Sequence, residues 1–179
     1  MTAALLIIDM QQGMLSAHLG RRNNPEAEQN IAKLLAHWRG QAWPVVHVRH
    51  ISRTPGSVFY PGQQGCEFQP ALAPLPDEAV FEKNVPCAFT ATQLERWLRV
   101  RGIDTLVVVG VVTNNSVEAT ARTAGNLGFR VSVVEDAAYT FDQRDLSGRV
   151  WPAEDVHALS LSNLALDYAT ITTTAALLA

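Results

Sequence analysis

The stretch TLVVVGVVTNNSVEATARTAGNLG, residues 105–128, decides the fold. Residues 105–109 are a continuous run of apolar and β-branched side chains, which is typical of a strand buried on both faces of a parallel sheet. Residues 110–115 predict a tight turn, and residues 116–127 predict a helix that ends at Gly128. A buried strand that passes through a short turn into a helix is the repeating unit of an α/β protein.

The same alternation of strand and helix continues on both sides of this stretch. Apolar runs predict further strands over residues 3–9, 44–49, 79–83, 130–135 and 169–174. Helical spacing predicts helices over residues 25–41, from Thr90 or Thr92 to Val100, and over residues 153–166. We therefore expect residues 1–179 to form a single α/β domain, a three-layer α/β/α sandwich around a six-stranded, mostly parallel sheet.

Composition excludes several classes of protein. The chain has 14 Lys and Arg against 17 Asp and Glu, and 47% of its 179 residues are hydrophobic. This balance excludes a disordered chain and gives no electrostatic reason to expect nucleic acid or a membrane as partner. No apolar run approaches the ~20 residues of a membrane-spanning helix, and residues 3–8 lack the basic flank of a secretory signal. We expect a cytoplasmic protein with a small-molecule substrate.

Three side chains with complementary chemistry follow predicted strands. Asp9 ends the first strand, Lys83 ends the third, and Ser116 begins the helix after the fourth. Ligands of parallel sheets bind beyond the carboxyl ends of the strands, so these groups are expected to meet there. A carboxylate, an ammonium and a hydroxyl together suit acyl transfer. Taken singly, each has an ordinary structural role, as a turn residue, a solvated strand end and a helix cap.

Five segments carry a resemblance to a known family. They are LLIIDMQ at 5–11, VVHVRH at 45–50, FEKNVPCAF at 81–89, GVVTNNSVEATAR at 110–122 and VVEDA at 133–137. In this order and spacing the chain resembles the isochorismatase-like hydrolases, a superfamily that includes nicotinamidases and other small-amide hydrolases. The resemblance implies a homo-oligomer, dimeric or larger, and an Asp–Lys–Cys triad. The acid position falls on Asp9, the amine position on Lys83, and the cysteine position on Ser116.

The resemblance also implies the shape of the turn. A cis peptide bond is expected between Val111 and Val112, with Thr113 following it. This geometry would direct the backbone N–H groups of Val112 and Ser116 toward an oxyanion.

Serine in place of cysteine leaves the chemistry open. A hydroxyl is much harder to deprotonate than a thiol, whose pKa lies near 8.5. A serine nucleophile therefore needs a more effective base than a cysteine does. The main hypothesis is cleavage of a C–N bond of a small amide by Asp9, Lys83 and Ser116. One alternative is a vinyl-ether hydrolase that uses Asp9 without covalent catalysis, and another is a catalytically silent binding or scaffold protein. Cys87, four residues after Lys83, is a further candidate nucleophile or a pocket-lining residue.

Candidate substrate contacts flank the predicted centre. Asn114 and Asn115 either bind substrate or shape the turn. Phe59 and Tyr60, in the Pro- and Gly-rich segment 52–78, either cover a small apolar pocket or form a subunit-interface arm.

Metal and cofactor signals are weak in this sequence. The family's nicotinamidases bind a metal through an Asp and two His after the second strand, whereas this chain offers His47 and His50 without an Asp beside them. The alternation of the second strand predicts His47 as a core residue. We expect no metal and no cofactor, because phosphate-binding glycine patterns are also missing. Trp151 and His157 are expected to approach the pocket from a neighbouring element.

Overall fold

A computed structural model describes residues 3–179, which form a parallel sheet of six strands in the order β3-β2-β1-β4-β5-β8 and a separate two-stranded β-ribbon, β6-β7. The strands are β1 (Ala4–Ile8), β2 (Val45–His50), β3 (Ala79–Lys83), β4 (Thr105–Val111), β5 (Arg130–Tyr139), β6 (Gln143–Arg144), β7 (Val150–Trp151) and β8 (Thr170–Thr172). The helices are α1 (Ala27–Gly40), α2 (Leu94–Val100), α3 (Glu118–Asn126), α4 (Ala153–Asp167) and α5 (Thr174–Leu178). The predicted three-layer α/β sandwich is confirmed.

Helices cover both faces of the sheet, which explains the unbroken apolar runs of its central strands. Every residue of β1 is buried, and its side chains alternate between two hydrophobic clusters. On one face Leu6 and Ile8 join apolar residues of α2, α3 and α4. On the other face Leu5 and Ile7 join α1. Alternating polar side chains would be buried in a strand that is covered on both faces. The sequence of such a strand is therefore a continuous apolar run.

The strand order places a crevice at the carboxyl end of β1. The chain runs from β1 outward through β2 to β3, and then returns to the other side of β1 as β4. Ile8 at the end of β1 is in register with Gly110 of β4, and His50 at the end of β2 is in register with Lys83 of β3. This reversal is a topological switch point, where parallel α/β sheets bind their ligands.

Strand β5 is longer than its apolar run. It was expected to end at residue 135 but continues to Tyr139, because its pairing with β4 resumes after an irregularity, with Gly110 opposite Ala138. Asp136, expected beyond a strand end, therefore lies within β5. Its carboxylate accepts hydrogen bonds from the backbone N–H and the hydroxyl of Thr174, at 2.8 and 2.9 Å, at the start of α5.

Two regions without a predicted element are ordered by local contacts. The β6-β7 ribbon closes around Asp145, whose carboxylate accepts from Ser147 and from the Trp151 indole N–H. The Trp151 indole is thus held within the ribbon. Segment 52–78 contains two short 3-10 turns, Gln64–Cys66 and Pro70–Leu72.

Among residues 3–179, no helix combines the length and the apolar character needed to cross a membrane.

Gly110 is a position of close approach between β4 and β1. Its φ is +117°, and a Cβ built on it would lie 2.1 Å from the carbonyl oxygen of Ile8. No side chain can occupy that space unless the two strands separate.

We expect the Gly110→Ala substitution to lower the free energy of unfolding by at least about 3 kcal/mol, since backbone atoms of a buried strand cannot move aside. Gly148→Ala is the matched control, because Gly148 also has a positive φ, +90°, but open space around it. Its cost is set by the backbone conformation alone, about 1–2 kcal/mol. Denaturant unfolding measures both, and equal losses in the two variants would contradict the close-approach argument.

Candidate active site

Asp9 is the first residue after β1 and turns its side chain into the crevice. Its backbone has a φ of +53°, a conformation that Asp tolerates better than most residues. Its N–H donates to the carbonyl of Val48 at 2.9 Å, and its own carbonyl accepts from the N–H of Gln11 at 2.7 Å. Asp9 is 1% exposed, so both the backbone and the carboxylate are held inside the protein.

Lys83 reaches Asp9 from the edge of the sheet. It ends β3, two strands away from β1, and its long side chain spans that distance. The Nζ atom donates to Oδ2 of Asp9 at 2.6 Å and to Oγ of Ser116 at 3.2 Å. One ammonium group therefore joins the acid and the hydroxyl, and the three predicted residues meet in one buried cluster.

Burial dominates the electrostatics of this cluster. It raises the pKa of Asp9 above its usual value, while the positive charge of Lys83 and the hydrogen bond from it act in the opposite direction. The Ser116 hydroxyl is close enough to Asp9 to lower this pKa slightly, yet Oδ1 of Asp9 makes no hydrogen bond of normal geometry. Asp9 thus has one oxygen fixed by Lys83 and one buried oxygen available to accept a proton.

Ser116 lies in a single turn of π-helix, Thr113–Val117, that leads directly into α3. The peptide bond between Val111 and Val112 is cis, as the resemblance implies. The Val112 carbonyl accepts from the backbone N–H groups of Asn115 and Val117, at 3.1 and 3.2 Å, and so closes the turn. Ser116 is 7% exposed, the most accessible member of the cluster.

The two asparagines before Ser116 differ in their surroundings. The Asn114 amide donates to Gln143 and accepts from the Thr140 hydroxyl, each at 2.6 Å, which ties the turn to the end of β5 and to β6. Asn115 is exposed. Both line an open cavity of about 330 Å³ together with Val112. Their roles in substrate binding stay predictions.

The predicted aromatic residues lie near His50 and Lys83. The Phe59 ring packs edge-on against the His50 imidazole, with 6.1 Å between ring centroids. Tyr60 is 38% exposed and lines a cavity of about 500 Å³ together with Lys83. Burial, and then the charge of Lys83, lower the pKa of His50. Phe59 is thus placed beside the cluster through His50.

Cys87 is directed away from Ser116. Its thiol donates to the hydroxyl of Thr123 at 3.2 Å. Thr123 lies seven residues beyond Ser116 along α3, about 10 Å at the helical rise. The structure therefore does not bring this thiol to the acid and the amine.

The two strand-two histidines have separate surroundings. His47 is buried, as expected of a core residue, and its Nε2 lies 2.9 Å from Oε2 of Glu78. Burial lowers the pKa of His47. Within residues 3–179, no three His, Cys, Asp or Glu side chains form a group that could hold a metal ion.

One supporting side chain was missed by sequence reasoning. The fully buried amide of Gln11 donates to the carbonyls of His50 and Cys66, at 2.9 and 3.1 Å, and accepts from the N–H of His50 at 2.7 Å. It thereby fixes the backbone beside Asp9. Its position two residues after Asp9 was the sequence feature that could have indicated a role beside the acid. His157, which was expected to approach the pocket, contacts Thr113 of the turn.

Known proteins share this architecture over nearly the whole chain. The family model of the isochorismatase domain matches residues 3–176. The crystal structure of an isochorismatase-family protein from Chromobacterium violaceum is 47% identical, with a TM-score of 0.96 over 99% of this chain and 92% of that one.

Curated relatives agree with the structural comparison. The uncharacterized isochorismatase family protein YrdC of Bacillus subtilis is 37% identical over 171 residues, 96% of this chain and 91% of its own length. Nicotinamidase 3 of Arabidopsis thaliana is 33% identical over 181 residues, 93% of this chain and 82% of its own. The chain therefore belongs to the isochorismatase family of hydrolases.

Proposed function

We propose that this hydrolase cleaves a C–N bond of a small amide at the cluster of Asp9, Lys83 and Ser116. The observation that carries the proposal is the position of Lys83 Nζ, 2.6 Å from Oδ2 of Asp9 and 3.2 Å from Oγ of Ser116, inside a buried site. A relative named as a nicotinamidase supports an amide as substrate.

Ser116 acts as the nucleophile in this proposal. Because the Lys83 ammonium donates to Oγ, it stabilises the negative charge that develops on that oxygen during attack. The hydroxyl proton passes to the unpaired Oδ1 of Asp9, whose raised pKa makes it a better base than an exposed carboxylate. Oγ bonds to the amide carbon, and the backbone N–H groups of Val112 and Ser116 are the proposed donors to the oxyanion.

Asp9 then returns its proton to the leaving nitrogen. The C–N bond breaks and leaves an ester on Ser116, and a water molecule attacks that ester while Asp9 accepts the proton of the water. Collapse of the second intermediate restores the Ser116 hydroxyl and releases the carboxylic acid. No other base is needed, because one carboxylate alternates between accepting and donating a proton.

The same burial of Asp9 favours a second candidate, hydrolysis of a vinyl ether. A carboxyl group whose pKa is raised is protonated over a wider pH range and can donate a proton to the substrate as a general acid. Ser116 would then orient water rather than form a covalent bond.

Several expectations from the sequence stay predictions. They are the cytoplasmic location, the homo-oligomeric state and the extent of the single domain. The expectations that the protein uses no metal or cofactor and has no nucleic-acid partner also stay predictions. The replacement of the family's cysteine by Ser116 is likewise part of the proposal. A catalytically silent scaffold is the outcome if neither substrate class is turned over.

We expect the purified wild-type protein to release ammonia from at least one member of a panel of small primary amides, measured by mass spectrometry beside a panel of vinyl ethers. Asp9→Asn, which suits the positive φ at this position, should lower kcat/KM by about 10²–10⁴-fold through loss of the base. Ser116→Ala should abolish turnover by the covalent route, whereas Ser116→Cys should retain part of it.

Controls distinguish the covalent amide hydrolase, the water-based vinyl-ether hydrolase and the catalytically silent scaffold. Cys87→Ser should leave turnover within about twofold, since its thiol contacts Thr123 and not the cluster. Modest change in both Ser116 variants would favour the water-based route. Turnover that persists in Asp9→Asn would rule out the assigned site, and no turnover of any compound would leave the scaffold reading.

The pH dependence distinguishes the two roles of Asp9. A base must be ionised, so amide cleavage should fall as pH decreases, with an apparent pKa above the ordinary Asp value of about 3.9. A general acid must be protonated, so vinyl-ether cleavage should instead rise as pH decreases through the same pKa. The measurement is kcat/KM across the acidic range.

His50 needs a matched control, because its lowered pKa also places its titration in the acidic range. The His50→Gln variant should keep the acidic limb of the profile if Asp9 causes it. Disappearance of the limb in this variant would assign the titration to His50 and contradict the role given to Asp9.

A further inference from the structure

Helix α4 presents two polar side chains to the turn that carries Ser116. His157 and Ser160 are three residues apart and therefore share one face of the helix. Both are buried, at 8% and 3% exposure, and Thr113, the first residue of the turn, is fully buried. Nδ1 of His157 lies 2.8 Å from Oγ1 of Thr113.

The direction of the hydrogen bond between His157 and Thr113 follows from the second ring nitrogen. The backbone carbonyl of Glu135 in β5 interacts with the imidazole and favours a proton on it, while burial lowers the pKa of His157 and favours the neutral ring. With Nδ1 facing Thr113, Nε2 is the nitrogen available to donate to that carbonyl. The neutral ring then accepts at Nδ1, and the Thr113 hydroxyl is the donor.

Ser160 secures the other end of the same turn. Its hydroxyl donates to Oε2 of Glu118 at 2.5 Å, and Glu118 also accepts from Arg122 at 2.6 and 2.9 Å. The hydroxyl has a single proton, which serves this short bond rather than the 3.3 Å approach to the Thr113 carbonyl. Helix α4 thus contacts Thr113, the first residue of the turn, and Glu118, the residue directly after the turn, on both sides of Ser116.

These contacts are separate from the ones that hold the acid and the amine. Asp9 directly follows β1 and Lys83 ends β3, whereas the turn is held from α4 and β5. The distance of 3.2 Å between Lys83 Nζ and Ser116 Oγ therefore depends on how α4 places the turn. A displacement of about 1 Å of a reacting group is enough to lower a rate about 10²-fold.

We propose that His157 is a positioning residue, which accepts the Thr113 hydrogen bond and thereby fixes the backbone of residues 112–116 so that Ser116 faces Lys83 and Asp9. The inference rests on the proposed function for its effect on turnover. It assigns His157 no contact with substrate. His157 therefore affects kcat from α4, a helix outside the crevice.

The first experiment uses p-nitrophenyl acetate, an activated ester that reports acylation of a serine. We expect His157→Leu and Thr113→Val each to lower kcat by about 10–100-fold, with KM changed by less than about twofold. The double variant should lose no more than either single variant, since both remove the same bond. His157→Asn should recover kcat to within about threefold, because its side-chain oxygen can accept from Thr113 in place of Nδ1.

A second readout does not depend on turnover. In a Ser116→Cys background, the rate of alkylation by iodoacetamide at residue 116 is measured by peptide mass spectrometry, with Cys87 as the internal reference. His157→Leu should slow alkylation at residue 116 relative to Cys87, and His157→Asn should restore it. Ser162→Ala, on the exposed face of α4, is the matched control and should change neither rate.

The two readouts separate the two proposals. If the wild-type protein shows no Ser116-dependent ester hydrolysis but alkylation follows the expected order, the serine mechanism fails and the positioning role of His157 stands. If His157→Leu lowers the melting temperature while kcat and alkylation of the folded protein stay unchanged, His157 is a structural core residue and the positioning role is overturned.

Discussion

The buried ion pair between Lys83 and Asp9 constrains the rest of the site. Both side chains are essentially inaccessible to water, so each charge has lost its hydration and depends on the other. A shift in the register of β3 or β1 would leave one charge unpaired, at a cost of about 3–5 kcal/mol. The pair therefore destabilises folded states with a shifted strand register, and it also belongs to the proposed catalytic cluster. Ser116 is neutral, so its identity affects this balance much less.

The site consists of two halves that different parts of the fold support. The acid and the amine are held by the central and edge strands, with the Gln11 amide fixing the backbone beside the acid. The hydroxyl is held by the turn after β4, which α4 secures through His157 and Ser160. The close contact of Gly110 with β1 joins the halves, because it lets the end of β4 lie directly beside the end of β1.

The sequence was most informative where burial dictates composition. Strands covered on both faces are apolar throughout, so their positions and their carboxyl ends were predictable, and with them the meeting of Asp9, Lys83 and Ser116. The extension of β5 was not, because Glu135 and Asp136 interrupt its apolar run. The contact between His157 and Thr113 joins residues 44 positions apart, and no local pattern encodes such a pairing. The direction of the Cys87 thiol is equally a matter of tertiary packing.

The separation of the paired charges along the chain has a consequence for biosynthesis. Asp9 and Lys83 are 74 residues apart, and the turn with Ser116 follows another 33 residues later. During translation at about 5–20 residues per second, the amino-terminal acid waits for several seconds before its counter-charge leaves the ribosome. Until then β1, inside the finished sheet, is an apolar segment that lacks its second neighbouring strand, because β2 precedes Lys83 in the chain but β4 follows it. Strand β1 is thus a segment that needs protection from aggregation until β4 has been synthesised.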